Sequence, residues 1–79
     1  MVTTTTRVYT ICNYEHPTQP GLVVSDGADG GSLGVVHTAT RINASADSHA
    51  VVDECAEYIA GDIQHVEHDG EFIHVTTSL

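Results

Sequence analysis

The dipeptide Asp69-Gly70 narrows the choice of fold more than any other stretch of this chain. It stands between two alternating runs, Ile63 to His68 and Glu71 to Thr76. Asp-Gly is favoured in two-residue hairpin turns, where both central residues take positive φ. A chain that bends here lays the two runs side by side as antiparallel strands. With Asp69 and Gly70 at the centre of the bend, His68 faces Glu71, Glu67 faces Phe72, Val66 faces Ile73 and His65 faces His74. Alternation then sorts the side chains. Val66, Ile73 and Val75 form an apolar set suited to packing under a helix, while Ile63, His65, Glu67, Phe72, His74 and Thr76 share the other face.

The helix precedes this hairpin. Val51, Val52, Cys55, Tyr58 and Ile59 recur at three- and four-residue spacing, and Asp53, Glu54 and Glu57 fall largely elsewhere. Ser45, Asp47 and Ser48 each offer a side-chain oxygen to an unpaired amide at the helix start. Gly61 stands where a left-handed residue closes a helix without a Cβ penalty. The spacing predicts a helix of roughly four turns.

Upstream, Arg7 to Tyr14 is rich in β-branched and aromatic residues and reads as a first strand. Glu15 to Gly21 contains both prolines and reads as a loop, and Leu22 to Val24 as a short strand. The glycine-rich segment Asp26 to Ser32 joins it to a third strand, Leu33 to Ile42. No internal repeat or linker divides the chain, so residues 1–79 are expected to form one small domain. The element order β-β-β-α-β-β predicts an α+β fold, with one helix packed across an antiparallel or mixed sheet of about five strands. One helix leaves the second sheet face uncovered. Tyr9, Ile11, Ile63 and Phe72 are expected to make that face apolar enough to meet a second copy.

Charge supplies the other constraint. Eleven acidic residues are set against Arg7 and Arg41, with no lysine, for a formal charge of −9. The excess resembles that of salt-adapted, haloarchaeal-type proteins, whose acidic surfaces stay hydrated while salt screens their self-repulsion. A fold of this kind is expected to strengthen as KCl is added. So few cations argue against nucleic-acid binding, because almost nothing would displace counterions from phosphate. No apolar run approaches transmembrane length, and Met1 to Asn13 lacks the pattern of a signal peptide, so a cytoplasmic setting without membrane attachment is expected.

Candidate chemistry is sparse. Among six histidines, His65 and His74 are expected to lie opposite one another and could share one Zn²⁺ or Cu²⁺, with Glu67 adding an oxygen from the same face. Cys12 and Cys55 read as free buried thiols, and the distinctive cysteine signatures of catalytic families are absent. The segment DGADGGSLG lacks the spacing of a calcium loop, and no lysine follows it to make a phosphate cradle. No G-x-S-x-G elbow appears. The sequence therefore points to a non-enzymatic interaction or accessory module without a cofactor, working as a homodimer or with a protein partner. The alternative is a transition-metal protein using His65, His74 and Glu67.

Overall fold

The computed structural model describes residues 5–27 and 30–78. Five strands, β1 (Thr6–Tyr14), β2 (Gly21–Asp26), β3 (Ser32–His37), β4 (Asp62–His68) and β5 (Phe72–Ser78), form one antiparallel sheet in the order β3-β2-β1-β5-β4. The helix α1 (Ser48–Glu54) and a 3₁₀ turn (Ala56–Tyr58) lie between β3 and β4 in the chain. Since those two strands are the outer ones, the segment between them carries the chain from one sheet edge to the other. Among the described residues the fold is α+β, with a five-stranded antiparallel sheet and one α-helix.

Burial follows the strand alternation. Ile11 lies opposite Val24 on one side and Ile73 on the other, and Tyr9 lies opposite Val75. These side chains, with Leu22, close on Ile42, Val51, Val52 and Cys55 to make the core. Tyr9 and Ile11 therefore belong to the helix-covered face, contrary to their expected place on the free one. The Tyr9 hydroxyl still reaches a polar partner, accepting from the Ala60 amide at 3.2 Å.

Asp47 caps the helix by accepting from the His49 and Ala50 amides. The helix then ends after seven residues rather than the expected four turns. The Cys55 amide is shared between the Val51 and Val52 carbonyls, and the next bonds, Tyr58 to Cys55 and Ile59 to Ala56, span three residues. Asp53, Glu54 and Glu57 place negative charge at the negative end of the dipole, with no basic residue in the last turn to offset it. Tightening into a 3₁₀ turn brings Tyr58 over Gly34, where a Cβ would collide with the Tyr58 ring.

Strand β3 also stops early, at His37 rather than Ile42. Two side chains draw the following segment away. Asn13 pairs with Ile42 through both its amide groups, receiving the Ile42 N–H at 2.8 Å and donating to its carbonyl at 2.9 Å. Arg41 donates to the Tyr14 and Gly21 carbonyls and pairs with Glu15. Asn13 thus imitates a strand partner, and Ile42 is buried in the core instead of extending β3.

The C-terminal hairpin forms, but bends one residue later than expected. The Asp69 amide donates to the Phe72 carbonyl at 3.2 Å, which makes Gly70 and Glu71 the central pair. Gly70 has φ of 98°, whereas no non-glycine residue described has positive φ, so Asp69 does not take the first central position of the expected turn. Pairing moves by two residues: His65 faces Thr76, Glu67 faces His74 and His68 faces Ile73. A two-residue shift preserves the faces. A bulge between Ile63 and His65 does not, and it sets Ile63 opposite Thr77 on the helix-covered side.

The Gly34–Tyr58 contact gives a direct check on this packing. Gly34→Ala is expected to lower stability by about 1–3 kcal/mol in denaturant titrations, and by less in a Tyr58→Ala background. Equal losses in the two backgrounds would contradict the contact.

Candidate functional site: the uncovered sheet face

The second face is set by the other half of the alternation. Across its middle runs a row of four side chains on four adjacent strands, Val35, Val23, Cys12 and Phe72, each opposite the next. Val23, Val35 and Cys12 are half-buried by their neighbours, and Phe72 is 38% exposed. Val8, 40% exposed, lies further along β1 on the same face. No element of the described chain lies over this row.

Beside it runs a polar row. Ser25 faces Thr10, Thr10 faces His74, and His74 faces Glu67. His74 Nδ1 lies 3.3 Å from the Thr10 hydroxyl, and its Nε2 lies 3.6 Å from an Asp69 carboxylate oxygen. Hydroxyl, imidazole and carboxylate thus stand in line, the order of parts in a hydrolytic triad. Thr10 lies in the middle of a strand whose amides serve sheet pairing, with no backbone donors directed at a developing oxyanion. The arrangement fixes the orientation of His74.

Aromatic rings mark the far end of the face. Tyr14 stacks on His16 at 5.7 Å and meets the edge of His37 at 6.5 Å. His16 Nδ1 accepts from the Thr18 and Gln19 amides, which turns the proline loop back on itself. His37 Nδ1 lies 3.3 Å from the Gln19 carbonyl oxygen.

The expected metal set is placed as follows. His65, Glu67 and His74 share the uncovered face, but the two histidines are not opposite each other, because the hairpin bends at Gly70-Glu71. His65 Nε2 lies 3.9 Å from Glu67, while both nitrogens of His74 already face Thr10 and Asp69. Among the described residues, no group of three or more His, Cys, Asp or Glu side chains gathers as a metal site. Both cysteines are free. Burial pushes the Cys12 thiol up, and burial with nearby Glu54 and Glu57 pushes Cys55 up to about 11, so neither thiol is poised as a thiolate at neutral pH.

The distribution of carboxylates was not visible before the register was known. Of the strand positions on this face, only Asp62 and Glu67 are acidic, and both lie on the edge strand β4. Strands β1, β2, β3 and β5 place no carboxylate there. Asp26, the one acidic residue of β2, pairs with Tyr9 on the helix-covered side. Alternation could have found the pattern only with the strand phases and the β4 bulge already fixed.

The chain matches no family model, no curated protein and no solved structure. The described residues include no helix long and apolar enough to cross a membrane.

Asp69 supplies a titratable check on the hairpin. Its carboxylate accepts from the Phe72 and Glu71 amides at 2.8 and 3.0 Å, and these bonds, with the nearby His74, hold its pKa below the usual carboxylate value. A carboxylate depressed on folding stabilises the fold above its unfolded pKa of about 4, and that contribution fades as pH falls through the folded value. Asp69→Ala is therefore expected to lower Tm at pH 7, with the gap from wild type narrowing below about pH 4. A gap independent of pH would contradict the assignment.

Proposed function

We propose that this chain is a small, acidic, salt-adapted accessory module without catalytic activity, working in the cytoplasm as a homodimer whose two copies meet through their uncovered sheet faces. The observation that carries this reading is that four of the five strands place no carboxylate on this face of a chain with a formal charge of −9. In a salt-adapted protein, carboxylates hold water at surfaces that remain in solvent. The four strands that omit them here, and put Val35, Val23, Cys12 and Phe72 in their place, are suited to losing water.

Size and charge agree with a second copy as the occupant. Five strands about 4.8 Å apart and about 20 Å long present roughly 500 Å² per copy, before the relief of the side chains is counted. Two such faces approach the roughly 1,200 Å² of the smaller stable interfaces. Salt at molar concentration shortens the Debye length to about 3 Å, so the carboxylates around the rim do not drive the copies apart. Nucleic acid is a poor alternative. Arg41 is engaged with Glu15, Tyr14 and Gly21, which leaves little positive charge for phosphate.

Sedimentation equilibrium at increasing KCl tests the reading. A dimer is expected in molar KCl, weakening as salt is removed. Phe72→Glu, which places a charge in the apolar row at an exposed position, is expected to give a folded monomer by circular dichroism and sedimentation. A wild-type monomer throughout, or a Phe72→Glu variant that still dimerises, would contradict it.

A further inference from the structure

We infer that the free edge of β3 is a docking edge for an extended, neutral-to-basic segment of a partner polypeptide, which would add to the sheet as a sixth strand. An antiparallel sheet in the order β3-β2-β1-β5-β4 has two edges. They differ in chemistry.

The β4 edge is guarded. It carries Asp62 and Glu67, and a bulge lies between Ile63 and His65. The extra residue, Gln64, turns its side chain onto the Asp62 carbonyl and the Ser78 hydroxyl. Charges and bulges of this kind deter pairing with a foreign strand.

The β3 edge carries neither a charged residue nor proline, reading SLGVVH from Ser32 to His37. Its irregularity lies at the start, opposite Val24 and Ser25, and leaves Gly34 to His37 in regular register with Val24 to Gly21. Leu33 is 45% exposed there. The run from Gly30 to Ala46 is the longest in the chain without a carboxylate, and it includes this whole strand and Arg41.

A strand edge is complemented by main-chain donors and acceptors in an extended segment. Charge selects which segment. Below molar salt, where screening is weaker, the formal charge of −9 repels an acidic segment on approach and does not repel a neutral or basic one. The edge itself offers no carboxylate to repel a backbone laid against it. Position selects the side chains. Val35 begins the apolar row on the uncovered face, so a β-branched residue opposite it would lengthen that row by one strand. The partner is therefore a stretch alternating small polar and β-branched residues, without aspartate or glutamate.

The test uses the full chain, isotope-labelled, in molar KCl, and a peptide about eight residues long. The peptide alternates threonine and valine, has lysine at each end, and is blocked at both termini. Saturable amide shifts and slowed amide exchange are expected, centred on Ser32 to His37. The same peptide with alternate backbone nitrogens methylated keeps its side chains but loses donors, and is expected to bind about tenfold more weakly or not at all. Leu33→Glu, at an exposed site, is expected to weaken binding of the unmodified peptide. Phe72→Glu, three strands away in the sheet, is expected to leave it unchanged, so this result is separable from the dimer. Absence of binding, equal binding of the methylated peptide, or shifts centred on Thr10, Cys12 and His74 would overturn the inference. So would protection of the β3 amides that grows with protein concentration alone, since a second copy would then hold the edge.

Discussion

A helix of seven residues is about 10 Å long, whereas five strands span about 19 Å between the outermost pair. So short a helix covers part of one sheet face and none of the other. Most features of this molecule answer that shortage. On the covered side, Ile42 and Tyr58 are brought in to extend the roof, the first by the two bonds from Asn13 and the second by a 3₁₀ turn that seats its ring over Gly34. The uncovered side has no such supplement. It carries an apolar row and a polar row, each running across several strands.

The same shortage explains why some elements were legible in the sequence and others were not. Strand β1 and the hairpin between β4 and β5 carry strong local patterns, and both lie where those patterns put them. The end of β3 is decided by Asn13, 29 residues before Ile42, and by the partners that Arg41 finds on Tyr14, Glu15 and Gly21, and no local window contains those pairings. The helical pattern runs past the end of α1 because Tyr58 and Ile59 keep an apolar spacing that a 3₁₀ turn also satisfies. Acidic residues at the negative end of the dipole were the available warning.

The hairpin shows how a correct element can carry a wrong contact. Asp69 was expected at the first central position of the turn, where it would need positive φ. Instead its carboxylate caps the turn from the outside, and Gly70 alone takes the left-handed conformation. His65 and His74 keep their common face and lose their pairing. The placement of Tyr9 and Ile11 is a different error, one of strand phase. Both faces of β1 contain apolar residues, so alternation left open which of them met the helix.

Charge joins the fold to the proposed assembly. The helix is acidic on its exposed side, while four of the five strands keep carboxylates off the uncovered face, so the two sides of the molecule differ in charge. The two cysteines report on those sides separately. Cys55 is buried beneath the helix, and Cys12 lies in the apolar row of the uncovered face. Thiol-labelling rates in molar KCl across a range of protein concentration test the central claim most directly. Cys55 should stay slow at every concentration, while Cys12 reacts faster than Cys55 in dilute solution and becomes protected as the protein is concentrated. A Cys12 rate that does not change with concentration would contradict the account.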